Sequence, residues 1–340
     1  MIFAMLIFMK NSASGDDIRR LVTHLEERGF KSEIITSGDG RMIQVLTDGR
    51  DIPSLEAFHG VSRIVHTEPR FRLSSRDFRK ADTVVEIGDR KIGGGNFCVI
   101  AGPCAVESME TALEIAKVLE HENLKLMRGG AFKPRTSPYS FQGLGYDGLE
   151  LLAEIRKKTG VLVVTEAIDV ESVDHVEKVA EMIQVGSRNM QNFSLLKRLG
   201  KSSKPILLKR GMSSTIEELL LAAEYILSGG NENVVLCERG IRTFDSFSRN
   251  TLDLSAVPAI KEISHLPIVV DPSHATGRRA FIAPMARASM ACGADGILVE
   301  IHPKPEYAFS DGGQTLNLKE FKNLMGELRE LAKIMKLKIN

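Results

Sequence analysis

Eight short apolar segments recur in series along this chain, and they constrain its fold more than any other feature. They lie at residues 97–101, 124–127, 161–165, 182–185, 206–208, 234–237, 268–270 and 296–299, with starts 21 to 37 residues apart. Helical spacing fills most of the gaps. One helix is predicted at 215–227, with Ser214 and Glu217 as its capping box, and another at 278–291, stopped by Gly293. Strands without a polar face that alternate with helices belong to a parallel sheet covered on both sides. Eight such units in about 250 residues predict a (β/α)8 TIM barrel. A doubly wound open sheet is the alternative with the same local pattern.

The barrel accounts for residues 96–340 of a 340-residue chain. Residues 1–70 read as a separate α+β unit. Strands at 2–9, 31–36, 42–47 and 61–66 and helices at 16–28 and 53–58 give the ferredoxin-like order βαββαβ. The opening apolar run, Met1 to Met9, is far shorter than the roughly 20 residues that cross a bilayer. It has no basic segment before it, as a signal peptide would, and is read as a buried strand. Residues 71–95 are read as a linker and a barrel-entry hairpin that ends in a flexible entry turn, Gly93-Gly94-Gly95. Lys and Arg total 45 against 44 Asp and Glu, which argues against a nucleic-acid binder. Four irregularly spaced cysteines do not make a disulfide framework, and a reducing cytoplasm is the expected compartment.

In such barrels the chemistry sits where the strands end. Cys104 follows the first strand, His274 the seventh, and Glu300 and Asp311 the eighth. Strands 1 and 8 become neighbours on closure, so these four converge on one sector of the mouth. A mixed sulfur, nitrogen and oxygen set suits a divalent Mn, Fe, Co or Zn ion, and does not choose among them. Singly, each has a plain reading: a cysteine after a strand is often a packed small hydrophobe, and a carboxylate there often a loop cap. The second group is basic. Arg128, Lys133, Arg135, Arg188, Lys209, Arg210, Arg239 and Arg242 all lie just past strand ends. A solvated loop charge explains any one of them. Together they suggest a basin for two anionic substrates or one bisphosphate. A metal beside such a basin points to carbonyl chemistry on phosphorylated small molecules.

The stretches AGPCAVES (101–108), MRGGAFKPRTSPYSFQGLG (127–145), VTEA (164–167), QVGSRNMQN (184–192), LLKRGM (207–212), LCERGIRTF (236–244) and VVDPSHATGRR (269–279) resemble the 3-deoxy-D-arabino-heptulosonate 7-phosphate (DAHP) synthases. The resemblance covers about residues 83–340, and the architecture is similar to the subfamily with an N-terminal ferredoxin-like regulatory domain. It implies a metal-dependent condensation of phosphoenolpyruvate with erythrose 4-phosphate, the first step of the shikimate pathway. By motif it implies Cys104, His274, Glu300 and Asp311 as metal ligands. Arg128, Lys133, Arg188, Lys209 and Arg239 match contacts to phosphoenolpyruvate, and Arg135 and Thr136 contacts to the phosphate of erythrose 4-phosphate. Catalytic roles fall to Lys133, to Glu166 near the reacting centre, and to His274 as a proton carrier where no metal claims it. The resemblance further implies a homotetramer and feedback inhibition by tyrosine or phenylalanine through residues 1–70.

Three rivals are weighed against this. The 3-deoxy-D-manno-octulosonate 8-phosphate synthases share the enol substrate but use arabinose 5-phosphate, and carry an Ala-Asn-Arg-Ser type sequence where this chain has Lys-Pro-Arg-Thr-Ser. A Schiff-base aldolase would use Lys209 or Lys133 as its nucleophile. A metabolite sensor on an inactive barrel would have lost ligands, and all four are present.

Overall fold

The structure, a computed structural model, describes residues 3–37, 40–47, 52, 55–66, 71–135 and 137–340. It falls into two compact units, Met1–Arg72 and Leu73–Asn340. In the first, β1 (Phe3–Met9), α1 (Gly15–Glu27), β2 (Lys31–Ser37), β3 (Gly40–Thr47) and β4 (Val61–His66) follow in order. The sheet runs β2-β3-β1-β4, and every neighbouring pair is antiparallel. Alternate residues of β1 face the core, so Met5, Ile7 and Met9 are buried against Ile18, Leu21 and Leu25 of α1. Ser14 and Asp17 close the start of α1 with a reciprocal capping box. Where a second helix is predicted at 53–58, the described residues hold one 3-10 turn, Leu55–Ala57. Residues 53 and 54 lie outside the described residues.

The second unit opens with a hairpin of β5 (Val85–Ile87) and β6 (Arg90–Ile92). Then come β7 (Asn96–Gly102), α2 (Met109–His121), β8 (Leu126–Arg128), α3 (Tyr146–Thr159), β9 (Leu162–Ala167), α4 (Val170–Val179), β10 (Met182–Val185) and α5 (Phe193–Leu199). After them run β11 (Ile206–Lys209), α6 (Ile216–Leu227), β12 (Val234–Glu238), α7 (Ala256–Ile263), β13 (Ile268–Val270), α8 (Pro272–Thr276), α9 (Arg279–Ala291), β14 (Gly296–Glu300), α10 (Leu318–Met335) and β15 (Lys338–Ile339). Strands β7 to β14 pair in parallel, in sequence order. The circle closes where β14 pairs β7, from Gly296 opposite Cys98 to Glu300 opposite Gly102. The eight-stranded barrel expected from the apolar series is therefore the fold. Among the described residues no helix is long and apolar enough to cross a membrane.

Three details differ from the sequence reading, each for a physical reason. Helix α6 is capped by Thr215 with Glu218, one residue later than the Ser214–Glu217 box. The run SSTIEE offers both registers, and the later one buries Leu219, Leu220 and Ala223. Residues 73–83, which composition marks as linker, are fastened to the barrel unit. Glu224 of α6 accepts from the Leu73 and Ser74 amides, and Arg76 donates to the Lys261 carbonyl. His265, its pKa lowered by burial, bonds the Leu73 carbonyl and the Thr83 hydroxyl at 2.7 Å each. The glycine run is a tightly built turn with φ of +93°, +61° and +84°, and a β-carbon at Gly93 would lie 2.6 Å from the Thr83 carbonyl oxygen.

The hairpin also does more than lead into the barrel. Val85, Ile87 and Ile92 pack with the inward residues Cys98, Ile100, Leu126, Val164, Met182, Leu207, Val235, Val269 and Leu298. It is the floor of the barrel interior, and removing a fully buried isoleucine there leaves a cavity that the strands around it cannot close. We expect Ile87→Ala to lower the unfolding free energy by about 2–5 kcal/mol in a urea titration. An unchanged midpoint would show that the hairpin lies outside the cooperative core.

Candidate functional site

Side chains alternate along a strand, so the residue two positions beyond an inward apolar one also points inward. Applied to this barrel, the rule generates its mouth. Arg128, Glu166, Gln184, Lys209, Arg239, Asp271 and Glu300 each lie two residues past Leu126, Val164, Met182, Leu207, Cys237, Val269 and Leu298, all members of the inner core. The lower layers are apolar and the top layer is polar. Gly102 stands two residues past Ile100 and Cys104 two past that. A β-carbon at Gly102 would come within 1.9 Å of the Arg128 carbonyl oxygen, so the backbones of β7 and β8 approach here only because that position is glycine.

Cys104, His274, Glu300 and Asp311 converge as the sequence predicts, with one ligand atom from each lying within 4.8 Å of the others. Asp271 caps the short helix α8 and accepts from the His274 amide at 2.9 Å and from its Nδ1 at 2.6 Å. Asp311 takes a left-handed φ of +55°, costly for a residue with a side chain. Its loop is held by Glu107, which accepts from the Phe309 amide at 2.7 Å and faces His302 Nε2 at 3.4 Å.

The donor chemistry fits a cation. Burial pulls His274 below the ordinary histidine pKa, against the pull of Asp271 and Glu300, which favours the neutral ring. A carboxylate only accepts, so the ring proton sits on Nδ1 facing Asp271. The Nε2 lone pair then faces Glu300 Oε1 at 3.2 Å. Two lone pairs at that distance repel unless a positive charge lies between them. Burial opposes ionisation of Glu300 and Asp311. At Glu300 the neighbouring His274, Arg128 and Lys133 outweigh it; at Asp311 the Cys104 hydrogen bond leads, then His274, Arg249 and Lys133, and its pKa falls to about 2. The Cys104 thiol is pushed up to about 12 by burial and by these two acids, and its proton bridges to Asp311 at 3.0 Å. Bonds of about 2.0–2.3 Å from nitrogen, oxygen and sulfur to one ion match donors that lie this close together.

Beside the four donors is a cleft lined by Arg128, Lys133, Arg135, Arg188, Lys209, Arg239 and Arg249, against two carboxylates, Glu166 and Asp311. Some of these cations are balanced. Lys209 bonds Asp271 at 2.7 Å, and Arg128 bonds Glu300 at 3.0 Å. Arg239 is 5% exposed, and among the described residues its side chain bonds only the main-chain carbonyls of Gly240 and His274. Burial without a counter-ion pulls its pKa below the ordinary arginine value. A guanidinium in that state is suited to pairing with an anion. Glu166 is fixed by Gln184 Nε2 at 2.7 Å and lies against Gly186, where a β-carbon would meet its Oε1 at 2.2 Å.

Of the basic residues read from strand ends, two stand apart from this cleft. Arg210 points the opposite way from Lys209, as alternation requires, and bonds Glu238 at 2.8 Å and Asp253 at 2.9 Å. Arg242 is exposed. Thr136 lies outside the described residues. The sequence reading missed Asp271, Gln184, Arg249 and Gln314. Counting by twos from Val269 and Met182 finds the first two, and nothing local marks the other two.

Residues 77–337 match the family model described as the DAHP synthetase I family. A phospho-2-dehydro-3-deoxyheptonate aldolase of Thermotoga maritima is 48% identical over 338 residues, covering 99% of this chain and all of the relative. The crystal structure of the Thermotoga maritima DAHP synthase superposes with a TM-score of 0.94 at 47% identity, over 99% of this chain and 100% of that one. A 2-dehydro-3-deoxyphosphooctonate aldolase of Syntrophobacter fumaroxidans is more distant, at 29% identity over 74% of this chain and 92% of its own length. With the family matched across the whole barrel and a relative matched end to end, this chain belongs to the DAHP synthetase I family.

Proposed function

We infer that the chain condenses phosphoenolpyruvate with erythrose 4-phosphate and water to give 3-deoxy-D-arabino-heptulosonate 7-phosphate and phosphate. The observation that carries this reading is the four-donor cluster directly beside a buried, uncompensated arginine in one cleft. Identity to the heptonate aldolase over the full length, against partial and weaker identity to the octonate aldolase, favours the four-carbon aldose.

Cys104, His274, Glu300 and Asp311 would hold the divalent ion. When bound, such an ion supplies Lewis acidity to the aldehyde oxygen. The remaining work belongs to the chain's own groups. Arg188 and Arg239 hold the phosphate of the enol substrate, and Lys209 and Arg128 face its carboxylate. Arg135, at the cleft rim, takes the phosphate of the aldose. Its NH1 lies 3.6 Å from Asp311. The enol methylene carbon attacks the aldehyde carbon, and Lys133, its Nζ 3.2 Å from the Cys104 carbonyl, donates a proton to the oxygen that becomes the hydroxyl. Water adds to the adjacent cationic carbon, and its proton passes to Glu166, which has no ionic partner among the described residues. The resulting hemiketal phosphate breaks the bond between carbon and the phosphate oxygen as its hydroxyl proton passes to the departing phosphate, leaving the ketone and phosphate on Arg188 and Arg239; the proton held by Glu166 returns through water to Lys133. Positioning and fixed charge account for most of the acceleration. The octonate reaction is the control, run with arabinose 5-phosphate.

Among the described residues of 1–70 there is no cluster of this kind, and we propose that this unit is a regulatory module for an aromatic amino acid.

Three outcomes test these assignments. Cys104→Ser and His274→Ala should each abolish turnover that chelator removes and metal restores, with the circular dichroism spectrum unchanged; full activity in either sinks the metal assignment. Arg239→Met should lower kcat/KM for phosphoenolpyruvate by about 10- to 100-fold, the worth of one charged hydrogen-bonding group, and leave metal affinity alone. A chain starting at Leu73 should remain active and lose its response to tyrosine or phenylalanine, and retained inhibition would place the effector on the barrel.

A further inference from the structure

Glu300 has two oxygens, and the structure gives them different neighbours. Oε1 faces Arg128 NH1 at 3.0 Å and His274 Nε2 at 3.2 Å, on the side of the four-donor cluster. Oε2 accepts from Gln314 Nε2 at 2.7 Å. Gln314 is 3% exposed and lies three residues past Asp311, at the end of the 3-10 turn Gly312–Gln314. Its own Oε1 accepts from Arg249 NH1 at 2.8 Å.

The orientation of this amide is forced by its partners. A guanidinium can only donate and a carboxylate can only accept. The glutamine must therefore turn its oxygen to Arg249 and its nitrogen to Glu300. A glutamine joins a cation to an anion without adding charge of its own. A second arginine in its place would neutralise Glu300, which Arg128 already partners, and would compete with a metal for it.

We propose that Gln314, oriented by Arg249, is a positioning residue that occupies one oxygen of Glu300 and so restricts it to presenting a single oxygen to a bound metal. The proposal rests on the four-residue metal site described above. Outer partners of this kind set the direction and basicity of a ligating group. Without the amide, the Glu300 carboxylate is free to rotate about its last bond and offer both oxygens, or to turn toward Arg128. Arg249 adds a second link. It lines the cleft, and its NH1 lies 3.6 Å from Asp311 Oδ1, so the same guanidinium reaches Glu300 through Gln314 and faces Asp311 directly.

The test uses the full chain stripped of metal, titrated with Zn2+ against a competing chelator and then with Co2+ while the visible spectrum is recorded. Gln314→Leu should weaken Zn2+ binding by about 10- to 100-fold and lower the visible absorption of the Co2+ protein, as added oxygen donors raise its coordination number. Arg249→Met, at a half-exposed position, should move both readouts the same way by less, because the freed amide can turn over. Wild-type affinity and spectrum in both variants overturn the proposal and leave the metal site standing. A fall in melting temperature alone, at unchanged affinity, marks a structural role and also overturns it. If Gln314→Leu does not fold, the Arg249→Met measurement decides. A wild-type chain that binds neither ion overturns the metal site itself.

Discussion

The site depends on the seam where the barrel closes. β14 pairs β7 over five residues, which sets Glu300 opposite Gly102 and so brings Cys104 beside a residue almost two hundred positions later. The seam is close because β14 opens on a glycine, and β7 carries another where it meets β8. A β-carbon at Gly296 would sit 2.3 Å from the Cys98 carbonyl oxygen, and one at Gly102 would meet the backbone of β8. Register then does the rest. A slip by one residue would turn Glu300 outward and an apolar neighbour inward. The apolar layers below, with the hairpin beneath them, hold that register against slippage.

Such a top layer is costly in isolation. Arg128, Lys209, Asp271 and Glu300 are all nearly or fully buried, and taking charges out of water costs several kcal/mol each. The pairs Lys209–Asp271 and Arg128–Glu300 offset part of that cost. Arg239 has no such offset, and a site prepared for an anion is where such a group is useful. The lower barrel, wholly apolar, supplies the stability that the mouth consumes.

Much of this was legible in the sequence, and the reasons are specific. The eight strands stood out because a parallel barrel buries both faces of each, leaving unbroken apolar runs. Cys104, His274, Glu300 and Asp311 were readable because all follow strand ends, where chemistry collects. Parity was the information left unused. Lys209 and Arg210 look alike in composition, yet one faces the cleft and the other bonds Glu238 outside the barrel's inner face. Asp271 was hidden by its second role as a helix cap. Gln314 and Arg249 sit in turns whose paths depend on tertiary contacts, and no local pattern marks them. The polar run at 73–83 looked free because the groups it bonds, on Glu224, Lys261 and His265, are remote in sequence.

The crowding of cations in one cleft has an effect at long range. The whole chain is almost neutral, with 45 basic and 44 acidic side chains. Seven of the basic groups and only two of the acidic ones line that cleft. Everywhere else, acidic groups are in the majority. A dianion diffusing near this cleft therefore meets a local excess of positive charge, and the field guides it there before any contact forms. Because such guidance acts through solvent over about 8–10 Å, added salt blunts it, so the capture rate of charged substrates depends on ionic strength even though the protein as a whole carries almost no charge.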